Sequence, residues 1–147
     1  MKDGAGLDYS ELDEFNKRIL RFVADEFPKE TRGFTGRAGN RLAKRLRAAY
    51  KAKTKKKTGN LRKGVKKGRP YMYNGNEFQV RVYNKAPHAW LIEHGHVMCD
   101  KHGNPIKKGG KEIHVPGKHV VGPLSNDFAE EFSEMTDEFL DQMLEVI

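Results

Sequence analysis

A single cysteine, Cys99, stands in a chain of 147 residues, so no intramolecular disulfide can form. The fold must hold by packing, and such usage suits a reducing compartment. Long apolar runs are missing as well: none approaches the eighteen or so residues of a membrane span. The opening Met-Lys-Asp-Gly lacks the apolar segment of a secretory leader. The expectation is a soluble, unexported protein that makes no membrane contact. Carboxylates are nearly lacking from residues 31–85, which hold eighteen basic side chains and one acidic, and cations are wholly lacking from residues 123–147, which hold eight acidic side chains.

This separation is more informative than the net charge of +8. An all-anionic final segment repels phosphate and slows the approach to nucleic acid. It suits a subunit that meets identical copies head to tail, where unlike surfaces must touch. Neutralisation of the basic middle by the acidic end within one fold is the other reading the charges allow. The mean hydropathy of −0.80 describes a wet surface around a small core. Eight phenylalanines, five tyrosines and one tryptophan supply material for that core, and 147 residues suit one domain.

Periodicity outlines the elements. Leu12, Phe15, Ile19 and Phe22, extended by Val23 and Phe27, form the stripe of an amphipathic helix, with Ser10 and Asp13 near its start and Pro28 as its stop. Leu42, Leu46 and Ala49 or Tyr50 mark a second, basic helix with a thin apolar face, and Gly33, Gly36 and Gly39 suggest a loop between the two. "TGNLRKGVKKG" reads as a turn followed by weak strand residues Leu61 and Val65. "YMYNGNEF" supplies an Asn-Gly hairpin turn and "EFQVRVYN" alternates as a half-buried strand. "APHAWLIEHGH" is a short helix or bend, residues near 94–112 form a Gly/Lys/His-rich loop, and "IHVPGKHVV" has strand texture. Leu124, Phe128, Phe132, Met135, Phe139 and Met143 recur at three and four, the core stripe of a long C-terminal helix that Leu140 and Leu144 widen. The architecture expected is α+β: residues 1–147 as a single domain, with helices at both ends and a small antiparallel sheet between them.

No catalytic constellation emerges. His94, His96, Cys99 and His102 are the metal candidates, but H-x-H-x2-C-x2-H matches no zinc finger or ribbon and offers one sulfur. A metal-dependent nuclease would use the same residues, yet only Glu93, Asp100 and Glu112 are near and no D-x-D or E-x-K spacing accompanies them. Neither a G-x-S-x-G elbow nor a phosphate-cradling loop occurs. No metal site and no cofactor is assigned, and the chain is expected not to be an enzyme. What stands out is a basic loop near 51–70 with Lys51, Lys53, Lys55, Lys56, Lys57, Arg62, Lys63, Lys66, Lys67 and Arg69 and not one carboxylate. With Tyr71 and Tyr73 alone placed to stack on bases, any DNA contact there is nonspecific.

The order of these signals resembles the tail-completion, or head-tail joining, protein family of long-tailed (siphovirus-type) bacteriophages and prophages. Thr58-Gly59-Asn60-Leu61-Arg62 is similar to that family's T-G-x-L-R phrase. Ala89, Ile92, Glu93 and Gly95 fit its Y-A-x-x-V-E-x-G-T phrase, with His96 where threonine is usual, and Pro123 stands before the final helix as in an R-P-A phrase. The resemblance implies a non-enzymatic virion protein, made in the bacterial host cytoplasm and forming a homo-oligomeric ring at the neck around the DNA channel. Its partners would be head-connector and tail-tube or tail-terminator proteins, with the stretch 51–70 facing the genome in transit or a neighbouring ring. A small basic protein that binds nucleic acid nonspecifically is the alternative.

Overall fold

The computed structural model describes residues 9–55 and 59–147, a single α+β domain. Its spine is one unbroken helical run from Ser10 to Lys53, in three parts: α1 (Ser10–Arg21), a π-helical turn (Phe22–Glu26) and α2 (Phe27–Lys53). Some 44 residues at 1.5 Å each make it about 66 Å long. Pro28, read from the sequence as a stop, sits in the first turn of α2. Its missing N–H and its ring clash fall on the preceding turn, and the widened π-turn there absorbs both.

The glycine-rich stretch 30–40, expected to be a loop, is helical too. Packing decides this against propensity. A Cβ on Gly39 would lie 2.9 Å from Val80 Cγ1, and one on Gly36 would lie 3.5 Å from Pro70 Cγ. The three-residue spacing of these glycines puts a bare backbone strip under the β-structure. Thr31 and Thr35 hydroxyls bond the carbonyls of Phe27 and Thr31, four residues back in each case.

In the stretch 51–70, where a loop was expected, the described residues include helix and strand. Lys51 and Lys53 end α2; Lys56, Lys57 and Thr58 lie outside the described residues; then come α3 (Asn60–Lys63) and β1 (Val65–Lys67). The turn-and-strand reading around residue 61 gives way to a helical turn because Gly59, at φ +78°, starts α3 and buries Leu61 against α2. The hairpin read at Asn74-Gly75 is present as β2 (Tyr71–Tyr73) and β3 (Glu77–Gln79). The alternating strand after it is broken, for β4 (Val82–Asn84) leaves β3's partner and pairs with β1. After α4 (Ala89–His94), β5 (Gly95–Val97) pairs with β8 (His114–Pro116). Where a loop was expected, β6 (Lys107–Lys108) and β7 (Lys111–Glu112) form a small hairpin. Among the described residues the β-structure is thus four two-stranded antiparallel ladders.

The last helix, α5 (Val121–Val146), runs antiparallel to α2, as Phe27 faces Phe139, Phe34 faces Phe132, and Arg41 and Arg45 meet Glu131. Phe128 and Phe139 are buried and Leu124, Met135 and Met143 half-buried, while Phe132 remains 42% exposed. Leu140 and Leu144 do not widen the buried stripe; they are 43% and 68% exposed. One core joins Ala43, Leu46 and Tyr50 of α2 with Leu61, Val65, Ala89 and Val120. A second, aromatic layer of Phe22, Phe27, Phe34 and Phe139 lies farther along the spine.

Candidate functional site

The cations read from the sequence divide by element. Several are tied down: Lys53 Nζ donates to the His119 carbonyl at 3.1 Å and Lys67 Nζ to the Gly36 carbonyl at 3.4 Å. Outside that set, Arg47 donates to the Val65 carbonyl at 3.2 Å. Arg41 Nε and Arg45 Nε hold Glu131 at 2.6 and 3.1 Å, which lowers that carboxyl below its ordinary range, chiefly through the Arg45 hydrogen bond. These charges fasten α2 to its neighbours and are not free for a partner.

Free cations stand on and beside the β1–β4 ladder. Lys66 stands opposite Tyr83, and the period of two puts Arg81 and Lys85 on the same outward face. Beside it, Gly68, Arg69, Tyr71, Arg81 and Tyr83 line a shallow hollow of about 350 Å³. The Arg81 guanidinium lies over the Tyr71 ring at 5.6 Å, and the Tyr71 hydroxyl donates to Gln79 Oε1 at 2.9 Å, fixing the ring. Arginine held over tyrosine, with exposed lysines and a second tyrosine nearby, is a surface fit for phosphate and for a base or aromatic face. Lys51, Lys55 and Lys63 are exposed and Arg62 half-buried, on the end of α2 and on α3. Arg81 and Tyr83, absent from the cationic set read at 51–70, complete this face. The alternation in "EFQVRVYN" was the signal that could have found them.

The histidines are not gathered. His96 pairs with Val115 and His114 with Val97, so the two rings leave opposite faces of the β5–β8 ladder. His94 lies against Trp90, with centroids 4.7 Å apart, and Cys99 Sγ donates to the Val97 carbonyl. The Asp100 carboxylate accepts the His102 and Asn104 amides and shapes the loop around them. Among the described residues no three His, Cys, Asp or Glu side chains stand close enough to hold a metal ion.

Glu93, read above as a carboxylate near the histidines and as part of the second family phrase, has a structural role. Its carboxylate accepts the Val120 amide at 2.8 Å and the Val121 amide at 3.1 Å, placing a negative charge on the N-terminus of α5. Asn84 ties β4 to α3 and to the turn that follows β4: its Nδ2 donates to the Leu61 carbonyl at 2.7 Å and its Oδ1 accepts the Ala86 amide at 2.9 Å. A Cβ on Gly64 would run into this side chain, and would lie 2.9 Å from the Ala86 nitrogen. The phrases "GNLRKG" and "APHAWLIEHG" are therefore the joints at which α3, α4 and α5 are fastened.

These joints lie within the stretch that matches a known family. Residues 12–95 fit the model of the HK97-gp10-like family, described as "Bacteriophage HK97-gp10, putative tail-component", and they make up more than half of the chain. The chain belongs to this family. It is thereby placed with the structural proteins of phage tails and so with the virion. The matched region takes in the helical spine, the basic β1–β4 face and the Glu93-Gly95 joint, and leaves out the β6–β7 hairpin and α5. No curated protein and no solved structure matches the chain. No helix among the described residues is long and apolar enough to cross a membrane.

Tyr50 carries a pH dependence within this family core. Burial raises its phenol above the ordinary value, a hydrogen bond with Asn84 acts against the rise and the charge of Glu93 adds to it. An unfolded tyrosine titrates near pH ~10. Below that pH both states keep the proton and stability is unaffected. Above it the unfolded chain sheds a proton that the folded chain retains, so stability falls as pH rises through and past about 10. Thermal melts from pH 8 to 11 should show this decline, flatter in Tyr50→Phe; equal slopes for the two proteins would refute it.

Proposed function

We propose that this protein is a non-enzymatic neck component, a tail-completion or head-tail joining protein that forms a ring between head and tail around the DNA channel. The observation that carries the reading is the segregation of charge on a family member of the tail-component class. The β1–β4 face presents Lys66, Arg69, Arg81 and Lys85 beside tyrosines, and of the acidic side chains of residues 123–147 Glu131 binds Arg41 and Arg45 while the others are exposed on α5. A channel through which DNA slides needs phosphate contacts that are numerous and sequence-blind, since base readout would arrest the genome. A subunit that stacks between head-connector and tail proteins needs surfaces of both signs.

The test is complementation in a phage lacking this gene. Purified wild-type protein should bind isolated tails, show a salt-sensitive oligomer by light scattering, and restore infectious particles when heads are added. Lys66→Glu/Arg69→Glu/Lys85→Glu, at exposed positions, should melt as wild type and restore far fewer. A triple variant that restores full titre would remove the DNA-facing role from this surface. A wild-type protein that ignores tails, stays monomeric and binds duplex DNA with a steep salt slope would support the nonspecific nucleic-acid binder instead; there the three reversals should lower the slope by about 2.7, at about 0.9 per phosphate contact.

A further inference from the structure

The eight carboxylates of α5 are unevenly placed around it. Glu131 is held by Arg41 and Arg45 of α2, and the other seven, from Asp127 to Glu145, are all exposed. At about 100° per residue these seven fall within a third of the helix circumference. Asn126, Ala129, Ser133, Leu140 and Leu144, on its other exposed side, carry no charge. A helix charged only to stay hydrated has no reason to crowd its charges into one row, where like charges three and four positions apart repel. Such a row calls for cations from outside its own helix. On α2, which has no carboxylate from Thr31 to Lys53, Arg37, Lys44 and Lys51 recur every seven residues at exposed positions. None of these three cations has a hydrogen bond or ion pair among the described residues. We infer that the acidic row of α5 in one copy lies along the Arg37–Lys44–Lys51 row of α2 in the next, as the contact between subunits of the proposed ring; the inference rests on that ring reading.

Three observations select a second copy as the occupant of each row. Charge is complementary, one row wholly anionic and the other wholly cationic. Length and period agree as well. Asp127, Glu134 and Asp141 also recur every seven residues, so each row spans about 21 Å and drifts round its helix by the same angle, and pairing can hold along the whole row. Thirdly, the pairing chemistry is already present inside the chain, where Arg41 Nε meets Glu131 Oε1 at 2.6 Å and Arg45 Nε meets its Oε2 at 3.1 Å. That contact engages one carboxylate of α5 and leaves both rows unpaired among the described residues. Duplex DNA could also meet the α2 row, but it would leave the acidic row with no partner and be repelled by it. Acidic row on one copy and basic row on the next make a heterologous contact, which leaves one free row of each sign at every step and closes as a ring.

Charge reversal tests the contact. Arg37→Glu/Lys44→Glu/Lys51→Glu makes both rows acidic, and Asp127→Lys/Glu134→Lys/Asp141→Lys makes both basic; a third protein carries all six changes and returns to the wild-type net charge of +8. All six positions are exposed, and melting temperatures should confirm that each variant folds. By light scattering at low salt, each triple variant should be a 16.8 kDa monomer where wild type assembles. The six-fold variant, with the two signs exchanged, should regain the wild-type mass, and both assemblies should dissociate in 1 M salt, where screening is complete within about 3 Å. Triple variants that assemble like wild type overturn the inference, and a loss of duplex DNA binding confined to the α2 variant would then assign its row to nucleic acid. A six-fold variant that stays monomeric while wild type forms rings overturns it too, and leaves the ring reading standing. Wild-type protein that is monomeric both in solution and on tails removes the ring and this contact together.

Discussion

Phe139→Asp should lower the stability of the fold by about 4 kcal/mol or more, and Phe132→Asp, one to two turns away on the same helix, by about 1–2 kcal/mol. Phe139 is 5% exposed and lies in the middle of the aromatic layer, its ring 4.6 Å from Phe34 at 12° and 6.2 Å from Phe27. Deleting a buried phenylalanine costs about 3–5 kcal/mol, and a carboxylate left there unpaired adds its desolvation. Phe132 also stacks on Phe34, at 6.0 Å, but 42% of it already meets solvent and its replacement can hydrate. In a chain of this size each kcal/mol moves the midpoint by roughly 2–4 °C, so the first variant should melt at least about 8 °C below wild type. A Phe139→Asp protein melting within about 3 °C of wild type would show that α5 does not pack on α2 as described.

That contrast shows where sequence patterning stops being informative. The spacing of Phe128, Phe132 and Phe139 identifies the helix because each lies near the same angular position. The width of the buried face is a property of the partner, however. A single antiparallel helix covers a narrow strip, so Leu140 and Leu144, about 100° and more round the helix, remain in solvent. The stripe of α1 was equally plain as a helix, and nothing local in the sequence could say that the described residues leave Leu12 and Phe15 exposed. Gly36 and Gly39 misled for a related reason: local preference favours a loop, and close contact with Pro70 and Val80, remote in sequence, settles on a helix. Three-residue strands are too short for an alternation to be counted, which is why the broken ladder after β3 was read as one strand.

The candidate site was legible to a similar degree. The cationic stretch was evident, but its division into tethering charges and free ones depends on which carbonyls and carboxylates the fold brings near Lys53, Lys67, Arg41 and Arg45. The clamp made by Glu93 was hidden because its acceptor and the amides of Val120 and Val121 are separated by 27 and 28 positions, beyond any local capping pattern. The family phrases mark these joints without giving their mechanism. Each is a place where two backbones approach closely, so glycine is fixed by space and a polar side chain by the hydrogen bonds left to satisfy.

Gly95→Val tests this account of the joint, with an expected loss of about 3 kcal/mol or more. Gly95 closes α4 at φ +83° and ψ 172°, a region open in practice to glycine alone. A Cβ there would lie 2.5 Å from the Val115 carbonyl oxygen and 2.8 Å from the Gly117 nitrogen, so relief requires the β8 backbone to retreat. The bonds from Lys118 N to Ile92 O at 2.7 Å and from His119 N to Glu93 O at 3.3 Å depend on that approach, and the Glu93 clamp on Val120 follows directly after them. Backbone strain and at least two weakened hydrogen bonds together reach the stated size. Glu93→Gln is the control: it keeps an acceptor for α5, loses only its charge, and should cost about 1 kcal/mol. Hydrogen exchange separates the two, since the Val120 and Val121 amides should lose protection strongly in Gly95→Val and slightly in Glu93→Gln. Equal protection in both variants and wild type would mean that α5 is held by its aromatic layer alone, and that the joint between α4, β8 and α5 contributes nothing to its placement.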